Sequence, residues 1–215
     1  MSMPVADAPE LWAGPASSIV RIGERTIDQI ERTGFAARLE ADLERLAGLG
    51  IARMRLPLAW ERIAPDVADE RDWREADRCM QCLRSLGIKP IAGLVHHGSG
   101  PRYTDLLDPA FATGLAAHAR AVAERFPDIT AWAPVHAPVT TARLSALQGV
   151  WYPQHQSDAS FVRAVLVQLR AVVLAMRAVR AVNPQATLLQ AEDIGLTQSA
   201  LRLRYHAEFL NLRRW

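Results

Sequence analysis

Lysine is nearly absent from this chain: Lys89 is the one example among 25 basic residues, the rest being arginine. That excludes a Gly-Lys-Ser/Thr phosphate loop and most Schiff-base chemistry. Charge of one sign is also lacking, with a formal net charge of +2 and no basic run. An electrostatic footprint for nucleic acid or for an anionic membrane is therefore not expected. Cysteine is limited to Cys79 and Cys82 in one Cys-x-x-Cys inside a helical stretch. A structural zinc site needs four ligands, and no second pair or histidine stands at ligand spacing, so the two read as packing residues, with no metal and no cofactor expected. The N-terminus, Met1 to Glu10, has neither a basic start nor an apolar run, which predicts no secretory leader and a cytoplasmic location. The longest apolar stretch, Phe161 to Val182, is interrupted by Arg163, Arg170, Arg177 and Arg180. The seven-residue spacing of the first three returns to one helix face, so the stretch reads as a core helix with a solvated stripe and not as a membrane span.

What is present is an alternation of strand-length apolar runs with helical periods, the signature of parallel β/α units. Strands are predicted at Leu11 to Ser18, Ala52 to Trp60, Ile88 to His96, Thr130 to His136 and Ala186 to Glu192. Helices are predicted at Gly34 to Leu49, Trp73 to Leu86, Pro109 to Phe126, Thr140 to Leu147, Ser160 to Val182 and Gln198 to Trp215. Gly87 suits a helix C-cap, Pro109 a first helical turn, and Asn183-Pro184 a helix stop. No Gly-x-Gly-x-x-Gly turn follows the first strand. Gly98-Ser99-Gly100 lacks the third glycine, and Pro101 behind it has no N–H for a phosphate. The fold class expected is α/β, a TIM-type (β/α) barrel in its N-terminal portion, with about five of the usual eight strands. Residues 1–215 are read as one domain. The outer strands of such an open fragment leave unpaired edges, which predicts self-association or pairing with a downstream barrel half.

Four segments, in this order and spacing, resemble glycoside hydrolase family 1, the β-glucosidase family. Leu11-Trp12-Ala13-Gly14 is similar to its first strand and Arg55-Leu56-Pro57-Leu58-Ala59-Trp60-Glu61-Arg62 to its second. Leu94-Val95-His96-His97 is similar to its third. The fourth, Pro134-Val135-His136-Ala137-Pro138, is similar to the family's Pro-Val-Asn-Glu-Pro, whose Glu is the general acid/base. Here His136 stands in the Asn position and Ala137 in the Glu position. The likeness extends to a divergent bacterial subgroup in which such a barrel is joined to a domain related to dTDP-4-dehydrorhamnose reductases.

The resemblance implies that Arg55 faces the nucleophilic carboxylate and that His96 binds a sugar hydroxyl. An Arg fork matches a carboxylate and holds it ionised. His97 replaces an aromatic residue of the family and reads as packing. The polar residue that grips sugar hydroxyls on the first strand falls near Ser17 to Val20, where Ser17 and Ser18 are weak substitutes. Trp12, Trp60, Trp132 and Trp151 are candidate ring platforms, with Trp132 and Trp151 closest to the altered motif. Retaining glycosidases need two carboxyl groups about 5 to 5.5 Å apart. No catalytic residue is intact: Ala137 cannot move a proton, and the family's nucleophile lies on a later strand. His136, Glu192 and Asp193 are the weak candidates for a displaced acid. Three readings follow: a sugar-binding barrel portion that has lost hydrolysis, an active β-glycosidase completed downstream with a displaced acid, and a structural or regulatory part of a fused sugar-nucleotide oxidoreductase. The partner expected is a small sugar or glycoside.

Overall fold

The computed structural model describes residues 9–193, 196 and 198–212. The chain enters through β1 (Trp12–Ala13), an antiparallel hairpin of β2 (Ile19–Ile22) and β3 (Arg25–Asp28), and the short helices α1 (Gln29–Arg32) and α2 (Leu39–Gly48). There follow β4 (Arg53–Pro57), α3 (Trp60–Ile63), α4 (Arg74–Ser85), β5 (Lys89–His96), α5 (Ala110–Arg125) and β6 (Ala131–His136). The last described elements are α6 (Pro138–Ala142), a π-turn over Arg143–Leu147, α7 (Asp158–Val182), β7 (Thr187–Leu188) and α8 (Arg204–Leu212). Apart from the hairpin, the strands form one sheet in the order β1-β4-β5-β6-β7, with every neighbouring pair parallel. This is the expected N-terminal portion of a (β/α) barrel.

Alternation along the central strands sends side chains to two faces. Met54, Leu56, Ala92, Leu94 and Trp132 belong to the main core, where α5 and α7 lie along each other through Phe111, Leu115, Val122, Ala164, Ala171 and Val179. Ile91, Ala131 and Ala133 form a separate small cluster with Leu189. Arg55 pairs in register with Ile91, and its side chain lies close to two glycines. A Cβ on Gly14 would stand 3.4 Å from Arg55 Nε, and one on Gly93 3.4 Å from Arg55 Cγ. The glycines thus leave the width that a guanidinium stem needs between neighbouring strands.

Several boundaries differ from those read in the sequence. The first strand pairs over two residues instead of Leu11 to Ser18, because Gly14-Pro15 leads the chain away and Ser17 turns towards β5. The segment expected as a polar loop forms the β2–β3 hairpin, closed at Gly23 with φ +56°. The helix expected from Gly34 starts at Leu39, since Gly34 has φ +67° and sits past the end of α1. The longest helix begins at Asp158, where Ser157 caps it by accepting from the Ser160 N–H at 3.1 Å. Of Ala186 to Glu192 only Thr187–Leu188 pair as a strand, although Ala137 N–H still donates to Ala191 O at 3.0 Å. The closing helix begins at Arg204 instead of Gln198, and its expected end at residues 213–215 lies outside the described residues.

By length and composition α7 is one helix apolar enough to cross a membrane. Its inner face is nevertheless buried through Ala164, Val167, Gln168, Ala171, Val172 and Met176. Val162, Leu166, Leu169 and Val173 remain exposed on it.

Glu61 on α3 is an unexpected buried acid. Both carboxyl oxygens are shielded without a partner in hydrogen-bond geometry, although the residue as a whole is partly exposed. Burial pushes its carboxyl up to about 7, against smaller opposing effects from the Glu61 and Gly100 backbone N–H groups and Arg21. The unfolded chain gives up this proton near pH ~4.3 and the folded chain keeps it to about 7, so the penalty grows as pH rises through that window. Glu61→Gln is therefore expected to match the parent in stability near pH 4 and to exceed it by on the order of 2 kcal/mol at pH 8, read from urea melts. A difference that does not change with pH would refute the assignment.

Among the described residues, β1 is bonded only to β4 and β7 only to β6. A one-sided strand is a template for another chain, and the isolated protein is expected to associate with rising concentration in sedimentation velocity. A monodisperse monomer with a cooperative melt is the contrary result.

Candidate functional site

The carboxyl ends of β4, β5 and β6 bring Arg55, His96 and His136 to one place. The register sets His96 directly beside His136, and their ring centroids are 4.2 Å apart. Arg55 donates from Nη1 to His96 Nδ1 at 2.9 Å and to Ser17 Oγ at 3.2 Å, and from Nη2 to Pro15 O at 3.2 Å. Ser17, 2 % exposed, reaches the same His96 Nδ1 at 2.6 Å. A guanidinium only donates, so Nδ1 of His96 accepts and the neutral ring carries its proton on Nε2. That leaves an N–H suited to an oxygen acceptor on a ligand.

No acidic side chain pairs with Arg55 among the described residues. Burial lowers its pKa, the sign of a desolvated cation. The same burial, with Arg55, His136 and His97 adding to it, pushes His96 down to about 2. His136 falls to about 4 through burial, Arg55 and His97, while Asp193 and Glu192 pull weakly the other way. His97 is lowered by burial and Arg55, against Asp193. At neutral pH the group is three uncharged imidazoles around one permanent cation.

His97 occupies a left-handed backbone with φ 56° and turns its ring to within 4.7 Å of His96 and 5.0 Å of His136, centroid to centroid. Its Nδ1 lies 3.2 Å from Thr141 Oγ1. Trp151 completes the cluster, 5.7 Å from the His97 ring. Packing alone, as expected for His97, does not describe this residue, because it faces two other imidazoles.

Ala137, expected from the resemblance at the acid/base position, is 1 % exposed, with φ 45° and ψ 64°. Its N–H is bonded to Ala191 O, and its methyl group offers no proton to transfer. The candidate substitutes have other employment. Glu192 Oε2 accepts from the Val139 N–H at 2.8 Å, at the start of α6, and Asp193 Oδ2 accepts from Thr140 Oγ1 at 2.8 Å. Both carboxylates satisfy the opening turn of a short helix. Among the tryptophans, Trp132 has no exposed surface and donates to Ile129 O at 3.1 Å, so the ring face expected to meet a sugar is inside the main core. Trp60 is likewise buried against Phe111 and His118, and Trp12 is exposed beside Arg53 and Glu10.

Ser17 and Thr141 are the contributors that sequence reasoning undervalued or missed. Neither belongs to a residue pattern, and only the fold carries Ser17 across 79 positions to His96. A separate recess of about 420 Å³ lies between the β2–β3 hairpin and α3–α4, lined by Arg21, Asp28, Glu61, Arg62 and Glu75. It does not include Arg55 or the histidines, and Arg62 there is already bridged to Asp28 and Glu75 at 2.5 Å each.

The fold has clear relatives. A β-glucosidase from Thermotoga maritima, solved with deoxynojirimycin, superposes with a TM-score of 0.70 at 22% identity, covering 82% of this chain and 42% of that one. The AHE enzyme from Alicyclobacillus herbarius gives the same figures. The virulence factor SghA, solved with its substrate analogue salicin, gives 0.66 at 23% identity, covering 77% of this chain and 39% of that one. The chain thus spans about two fifths of the length of these proteins. No curated protein sequence matches it. The model of glycosyl hydrolase family 1 matches residues 22–207, which is most of the sequence. With its parallel sheet, its Arg55–His96 pair and its altered Pro134–Pro138 run, the chain belongs to glycosyl hydrolase family 1.

Proposed function

We propose that this chain is a sugar-contacting portion of a family 1 barrel that does not itself hydrolyse glycosides. The observation that supports it is Ala137: the acid/base position is occupied by a buried methyl group, while Arg55 and His96 remain joined beside it. His96 Nε2–H and the Trp151 ring offer the two things a pyranose requires, a polar donor and a flat apolar face. Solved relatives carry deoxynojirimycin and salicin, both sugar-like, which agrees with that chemistry. Losing general acid/base assistance costs about 10² to 10⁴ in rate. An isolated chain is expected to release no nitrophenol from an aryl β-glucoside above buffer, and inhibitor-sensitive release would overturn the proposal. Salicin is expected to give saturation-transfer NMR signals with the parent and none with His96→Ala. Equal signals from both would refute the assignment of His96.

Glu192 does not need a chemical role in this reading, since its carboxylate already accepts the Val139 N–H. Glu192→Ala is expected to lower stability in urea melts by ~1 kcal/mol, as loss of a helix-end acceptor does, and to leave salicin binding intact. Loss of binding without loss of stability would instead favour a ligand-facing carboxylate.

A further inference from the structure

The three histidines are a denser group than a sugar hydroxyl requires. One ring nitrogen from each of His96, His97 and His136 lies within 4.8 Å of the other two, and all three residues are partly exposed. His136 Nδ1 is buried without a hydrogen-bond partner, a polar atom left unsatisfied on one of the three rings. We propose that His96, His97 and His136 form a three-imidazole site for a divalent transition-metal ion, with a fourth coordination position open to water or ligand. This goes beyond the carbohydrate reading and does not rest on it.

The geometry supports the assignment in two ways. Zinc–imidazole bonds of about 2.0–2.1 Å set tetrahedral nitrogen separations near ~3.4 Å, so the triangle must contract by roughly 1.4 Å, within the range of small ring rotations. Thr141 Oγ1 lies 3.2 Å from His97 Nδ1 and Ser17 Oγ 2.6 Å from His96 Nδ1, so a hydroxyl that can accept stands at Nδ1 of each ring, as outer partners do for ligating histidines, and Nε2 is the nitrogen left for a metal once its proton moves. The charges facing the group are Arg55 on one side and Glu192 and Asp193 on the other.

Arg55 is the opposing element. Metal at His96 Nε2 displaces the proton there, and Nδ1 must take one up and donate it to Ser17 Oγ. The 2.9 Å contact from Arg55 Nη1 to Nδ1 then opens, while Arg55 keeps its bonds to Ser17 Oγ and Pro15 O. Arg55→Met is accordingly expected to tighten metal binding several-fold.

The test uses the full chain in a Cys82→Ser background, so that the exposed thiol does not compete. Zinc titrated by calorimetry is expected to bind at micromolar concentration. His97→Phe and His136→Asn are each expected to weaken it by at least about 100-fold, the upper end of the cost of losing even an outer-shell partner. His155→Ala, outside the cluster, is expected to change nothing. Cobalt(II) added to the unsubstituted histidine set is expected to give the intense visible bands of a four-coordinate site. Unchanged zinc affinity in both variants, or only the weak spectrum of hydrated cobalt, would overturn the proposal.

Discussion

The register between β5 and β6 is the constraint on which the site depends. Parallel pairing brings His96 level with His136, one step beyond Val95 and Val135. A slip of one residue would send the imidazole of either strand to the opposite face and separate the rings. Arg55 stands level with Ile91 on β5, and its guanidinium reaches along the strand to His96. Gly14 and Gly93 then allow it to lie between strands and reach His96. The β5–β6 ladder sets the two histidines side by side, and hydrogen bonds from Arg55 join its guanidinium to His96 and Ser17.

Once assembled, the cluster is electrostatically unusual. A partly buried guanidinium without an acidic partner among the described residues suppresses protonation of every imidazole near it, and desolvation does most of the work. The two nearby carboxylates only partly counter this, because their oxygens already serve the first turn of α6. A family site built to cleave a glycosidic bond would place a proton donor at position 137. Here that position holds a methyl group on a left-handed backbone, while the histidines at 97 and 136 add nitrogen lone pairs.

Much of this was legible from sequence where a local rule operated. Gly87 ends α4 with φ +70°, Asn183-Pro184 stops α7, and the alternation of apolar runs with helical periods gives the parallel order. The rule failed where partners are distant. Ile19 to Asp28 contains no strong hairpin dipeptide, and it forms strands because the two segments meet each other and Arg21 stacks over Tyr152 at 3.7 Å. Trp132 sits two residues before the altered run, yet the pleat turns it into the main core, so nearness in sequence misled. Glu61 follows the second-strand motif without any local sign of burial, and its oxygens are hidden where Gly98 and the Ile19 carbonyl pack close to it.

By itself the sequence determined the order of β/α units, the family likeness and the alanine at position 137, because periodicity and motif spacing are properties of neighbouring residues. Tertiary structure decided that Ser17, Arg55, His96, His97 and His136 are neighbours and that Glu192 and Asp193 are occupied. Those facts depend on strand register and on burial, which bring together residues many positions apart and which no local pattern encodes.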